Sequence, residues 1–301
     1  MNKKLSRISL PAFIVIIILM LVILFYIGFK RSGHKKPVYG AETGALFSWD
    51  KGVISDSGIE NILRVQKELP LNRLFQKVPQ DWWTGREKTE IRELVKKLGS
   101  KGIQVYALTG TPEWAQEEGL ESILERIERV ADYNKKTVSQ ERIFGIVIDV
   151  EPYQNQKWEA ESKEVMAQYT SNMKAAYNYA QKKDLWVVLC IPYWFDNEHV
   201  GELEELAANA CDELAIMNYY RGNEAENIET ELLLAKKYGI GITIIFEFLP
   251  PGKHGLTDRN TYYNLGTTAA LSVWQDLYSL GEYKKMSCGY HELETLSKLL
   301  K

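Results

Sequence analysis

Two carboxylates one residue apart, Asp149 and Glu151, close the run Phe144-Gly145-Ile146-Val147-Ile148-Asp149-Val150-Glu151-Pro152-Tyr153. The apolar, mostly β-branched residues ahead of them read as a strand buried on both faces, as in a parallel sheet. Side chains alternate along a strand, so the two acids point the same way. Pro152 has no N–H to donate and ends the ladder. Paired acids at the carboxyl end of a buried strand suit proton transfer, because the charge of one shifts the pKa of the other. The expectation is that Glu151 is the proton donor and that the negative charge of Asp149 keeps it protonated. A third acid, Glu247, closes a second apolar run, Ile242-Thr243-Ile244-Ile245-Phe246.

The elements that must position these acids follow from hydrophobic period. Strands are expected at Ala45–Trp49, Arg73–Lys77, Gln104–Leu108, Phe144–Val150, Trp186–Ile191, Glu213–Asn218, Ile242–Phe246 and Met286–Tyr290. Amphipathic helical patterns lie between them, among others at Lys88–Leu98, Leu120–Tyr133, Lys163–Lys182, Glu202–Ala210 and Glu226–Tyr238. Gly99, Gly239 and Gly281 stand where left-handed helix caps would fall. Strand–helix alternation of this count implies an α/β fold, a (β/α)8 TIM barrel, with its chemistry at the carboxyl ends of the strands. Glu151 then ends the fourth strand and Glu247 the seventh, facing each other across the mouth.

The strand ends carry rings. In chain order they are Trp49 beside Asp50, Trp82 and Trp83, Trp114, Tyr153 with Trp158, Tyr193-Trp194-Phe195, Tyr219 and Tyr220 after Asn218, Phe246 with Phe248, and Tyr290 beside His291. Flat rings with a polar handle suit the C–H faces of sugars, whose hydroxyls then reach acids and amides at the rim. The expected substrate-binding set is Trp49, Asp50, Trp114, Tyr153, Tyr193, Trp194, Asn218, Tyr219, Tyr220, Tyr290 and His291. Asp196, Arg221 and Glu292 are further candidates for rim contacts. A formal net charge of −3 argues against a nucleic-acid partner. The three cysteines, Cys190, Cys211 and Cys288, and the four histidines show no metal spacing, so buried thiols are expected and no metal or organic cofactor is implied.

Residues 10–29 form an uncharged apolar run long enough to cross a bilayer as a helix. It lacks a signal-peptide cleavage pattern and ends in Lys30-Arg31, so an uncleaved transmembrane helix is expected. Residues 1–9 would be a cytoplasmic stub, 30–40 a polar linker and 41–301 the barrel. Basic residues flank the span on both sides: Lys3, Lys4 and Arg7 before it, and Lys30, Arg31, Lys35 and Lys36 after it. The shortness of the stub therefore decides the orientation. The chain is expected to be a single-pass protein of the cell membrane with its barrel outside.

Gly145-x-x-x-Asp149-x-Glu151 resembles the end of the fourth-strand signature of family 18 chitinases, and Met217-Asn218-Tyr219 resembles their sixth-strand Met-x-Tyr. The resemblance implies Glu151 as acid, Asp149 as its partner and Tyr219 as a donor to substrate. Val147 stands where that signature has its first Asp, and Tyr220 where it has another, which counts against catalysis assisted by a substrate acetamido group. The placing of Glu151 and Glu247 is similar instead to retaining clan A glycosidases, although Val150 replaces their usual Asn. The expected function is a glycoside hydrolase, membrane-anchored and retaining, cleaving an extracellular or cell-surface polysaccharide or oligosaccharide. The alternative is a non-catalytic glycan-binding barrel in polysaccharide export or wall assembly. A barrel enzyme of unrelated chemistry is disfavoured by the lack of phosphate-binding glycine motifs.

Overall fold

Eight parallel strands close into a barrel in strict chain order, and β8 pairs back onto β1. The computed structural model describes residues 36–78 and 85–300. The expected span at 10–29 and the rings of Trp82 and Trp83 lie outside these. Among the described residues, no helix is long and apolar enough to cross a membrane. The barrel belongs to one compact unit, Val38–Lys301.

The strands are β1 (Gly44–Ser48), β2 (Arg73–Lys77), β3 (Gln104–Thr109), β4 (Gly145–Ile148), β5 (Trp186–Pro192), β6 (Glu213–Met217), β7 (Gly241–Glu247) and β8 (Met286–His291). Each overlaps its expected counterpart, because fully buried parallel strands carry unbroken apolar runs that polar loops interrupt. The connecting helices are α1 (Asp56–Glu68), α2 (Gly85–Gly99), α3 (Gly119–Lys135), α4 (Trp158–Lys182), α5 (Val200–Asn209), α6 (Glu229–Tyr238), α7 (Gly266–Leu280) and α8 (Leu293–Leu299). Of the three glycines expected as caps, only Gly239 is left-handed, with φ of 69° at the end of α6. Gly281 stands at the cap position of α7 but has φ of −76°, and Gly99 stays inside α2.

The two faces of each strand feed two separate cores. Inward-facing side chains, including Phe47, Phe75, Tyr106, Val147, Val188, Cys190 and Ile245, fill the barrel. Outward-facing ones pack under the helices, among them Leu46, Ile146, Ile148, Leu189, Ile216 and Ile244. The amino-terminal end of the barrel is closed by an ion pair with no solvent access, Arg73 with Glu213. Arg73 Nη1 donates to Oε1 and Oε2 of Glu213 at 2.7 and 2.8 Å, and Nη2 donates to Thr243 Oγ1 at 2.8 Å and to Ser287 Oγ. Tyr39 lies ahead of the first strand and donates its hydroxyl to Glu213 Oε2 at 2.6 Å. Its ring lies 5.6 Å from the guanidinium carbon.

Candidate active site

The opposite end is open. A cleft of roughly 1000 Å³ sits over the carboxyl ends of the strands, lined by Trp49, Asp149, Glu151, Tyr153, Tyr193, Trp194, Tyr219, Glu247 and His291 among others. All three acids singled out from the sequence line it.

Asp149 follows β4 directly, and its N–H donates to the carbonyl of Thr109 at 2.8 Å. Gly110 allows this approach, since a Cβ there would lie 1.8 Å from the Asp149 carbonyl oxygen. Asp149 is partly open to the cleft, yet its Oδ1 is buried and has no hydrogen-bond partner among the described residues. Burial first, and then the negative charge of Glu151, push its carboxyl up to about 7. The expectation concerned the effect of Asp149 on Glu151; the structure brings out the reciprocal effect on Asp149.

Glu151 is half-buried. Its Oε2 accepts the Tyr153 hydroxyl and, at 2.7 Å, Nε2 of Gln154. With two donors on Oε2, a proton carried by Glu151 belongs on Oε1. The Tyr219 hydroxyl is held protonated by burial and by the negative charges of Glu247, Asp149 and Glu151, in that order, so it remains a donor among the three acids.

Glu247 is 3% exposed. Its Oε1 accepts the backbone N–H groups of Phe248 and Leu249 at 2.8 and 2.7 Å. His291 Nδ1 stands 3.0 and 2.9 Å from its two oxygens. The Trp49 indole donates to His291 Nε2 at 3.1 Å. An indole N–H can only donate, so Nε2 offers a lone pair and the ring proton sits on Nδ1 facing Glu247. Burial lowers the His291 pKa, but the hydrogen bond and charge of Glu247 outweigh it and the net shift is upward.

Not every expected ring or acid reaches the cleft. Asp50 turns away and caps the next turn, accepting Gly52 N–H at 2.7 Å. Asn218 is buried and braces the loop after β6, donating to the Glu224 carbonyl at 2.9 Å and accepting Asn227 Nδ2 at 2.6 Å. Tyr290 is buried beneath the helices, its ring 6.4 Å from Phe248. Trp114 packs against the helical shell, with Arg126 5.9 Å from its ring. Tyr220 lies beyond the cleft lining, stacked 6.2 Å from Tyr193 with Arg259 4.2 Å from its ring. Strand alternation separates the first three from their neighbours: Trp49, Tyr219 and His291 face in, so Asp50, Asn218 and Tyr290 face elsewhere.

The cleft also holds residues outside the expected site set, including Phe47, Gln154, Cys190, Met217, Leu249, His254 and Asn260. The inward parity of β1, β5 and β6 could have flagged Phe47, Cys190 and Met217. His254 and Asn260 come from the long connection after β7, which has no period to read. Among the described residues, no cluster of His, Cys, Asp and Glu could hold a metal ion.

No family model matches the chain, and no curated protein matches it in sequence. Solved structures do match in fold. The chain is similar to a GH18 chitinase from Pseudoalteromonas aurantia, at 12% identity and a TM-score of 0.56, over 84% of this chain and 94% of the other. It is similar to a chitinase from Bacteroides thetaiotaomicron, at 13% identity and a TM-score of 0.53, over 86% and 94% of the two chains. It also resembles the C-terminal domain of a putative chitinase from Desulfitobacterium hafniense, at 13% identity and a TM-score of 0.50, over 87% and 99%. What these structures share with the chain is the fold, a closed barrel of eight parallel strands.

Proposed function

We propose that this chain is a glycoside hydrolase acting on a polysaccharide, with Glu151 as the proton donor. The observation that carries this reading is the placing of Asp149 and Glu151 at the end of β4, in an aromatic-lined cleft that Tyr219 and Glu247 also line. Tyr153, Trp194 and Tyr193 offer faces for sugar rings, and Glu151 Oε1 would protonate the glycosidic oxygen. Asp149, with its carboxyl near 7, can hold a proton or release it within the working range.

Glu247 suits an indirect part. Both of its oxygens are engaged, and a swing toward substrate would orphan two backbone N–H groups. A carboxylate so bound is a poor nucleophile and a good orienter of His291. A second reading keeps Glu247 as the nucleophile of a retaining pair, supported by its presence in the same cleft as Glu151. The apolar run at residues 10–29 would hold the enzyme in the cell membrane with its barrel outside, facing a cell-surface or extracellular glycan.

The test is turnover of a polysaccharide panel followed by anomer-resolved NMR, on wild type and Glu247→Ala. Hydrolysis with partial activity left in Glu247→Ala supports the indirect part. Complete loss with rescue by azide supports the nucleophile. Binding of glycan without hydrolysis would overturn the enzyme reading in favour of a glycan-binding barrel.

A further inference from the structure

We propose that Cys190 is a positioning residue of this site, its thiol donating to the Asp149 carboxyl and holding it beneath Glu151. The catalytic consequence rests on the function proposed above; the contact itself does not.

Register carries the placement. β4 and β5 pair as Val147 with Val188 and Ile148 with Leu189. Extending that parallel register by one residue sets Asp149 beside Cys190. Val147, Val188 and Cys190 all face the barrel interior, so the next inward-facing pair above Val147 and Val188 is the acid and the thiol. Cys190 is 2% exposed and lines the cleft together with Asp149. Ala215 is its register partner on β6, a small neighbour with no polar group to compete for the thiol.

The chemistry fits this contact. A buried carboxyl with a bare Oδ1 is costly unless another donor holds it. Val147, the inward residue below, offers none. A thiol donating to the carboxyl would favour its charged form, partly offsetting burial. Burial and the nearby acids keep the thiol itself protonated, which makes it a donor and not a nucleophile. The other titratable groups around Asp149 are Glu151 and Tyr153 beyond its own strand, Tyr219 after β6, His291 on β8 and Tyr169 on α4.

The S–H stretch in the infrared spectrum of the full chain tests the contact without needing turnover. The Cys190 band is assigned by its loss in Cys190→Ser. It should move to lower frequency as pH rises through about 7, when the carboxyl becomes a stronger acceptor, and it should stay fixed in Asp149→Asn. A band that ignores pH in wild type would overturn the proposal. On a glycan that wild type hydrolyses, Cys190→Ala should move the limb of the pH–rate profile assigned to Asp149 upward by as much as about one unit. Cys190→Ser should move it back. An unshifted limb in Cys190→Ala would also overturn the positioning role. A responsive band in a protein that hydrolyses no glycan would count against the hydrolase reading and uphold the contact.

Discussion

Both ends of the barrel bury acids, and they treat them in opposite ways. At the closed end Glu213 has no solvent access, but Arg73, Thr243 and Tyr39 all donate to it. At the open end Asp149 meets another carboxylate and, among the described residues, has no arginine or lysine partner, and its carboxyl is pushed up to about 7. Burial alone therefore does not mark a functional acid. A fully paired acid is architecture, and an acid left with a like charge is the candidate for proton chemistry.

Breaking the closed end gives the largest expected change in stability. Removing one member of a buried pair strands the other charge, so Glu213→Ala or Arg73→Ala should cost about 3–5 kcal/mol. Chemical denaturation measures it. An effect below about 1 kcal/mol, the range of surface pairs, would show that the base of the barrel is not held this way.

At the open end the sign reverses. The folded-state pKa of Asp149 lies above its ordinary 3.8, so its contribution to stability is full below that value and lost as pH rises toward about 7. Asp149→Asn should therefore flatten the decline of Tm across this range while lowering turnover. An unchanged Tm–pH curve in the variant would contradict the assignment.

Glu231 on α6 lies between these cases. It has no solvent access and, among the described residues, no side-chain partner for either oxygen. Burial first, and to a lesser degree Asp196, raise its carboxyl to about 8. Stability should fall as pH climbs from 4.5 toward 8. Glu231→Gln should remove that slope and stabilise the protein at neutral pH by about 1–3 kcal/mol. An equal slope in the variant would show that the group is solvated in solution.

Much of the frame was legible because buried parallel strands are unbroken apolar runs. Even β2, with Arg73 at its start and Lys77 at its end, falls on its expected span. What strand period could not reach was partnership: Arg73 and Glu213 are 140 positions apart and meet only once the barrel closes. The site was legible where alternation was applied, at Asp149 and Glu151. It was blurred where neighbouring residues were taken together, at Trp49 with Asp50, Asn218 with Tyr219, and Tyr290 with His291. Trp114 illustrates a different limit, because a loop ring can turn to cleft or shell with nothing in its local sequence to say which.

The most direct test pairs one substitution from each end. Glu151→Gln keeps size and hydrogen bonding but cannot give up a proton, and Glu213→Gln leaves the cleft intact while stripping Arg73 of its counter-charge. Tm and polysaccharide turnover, measured side by side, should separate the two. Glu151→Gln should keep a wild-type Tm and lose turnover by about 10²–10⁴-fold, whereas Glu213→Gln should lose Tm and keep its turnover while folded. Near wild-type turnover in Glu151→Gln would contradict its role as the proton donor.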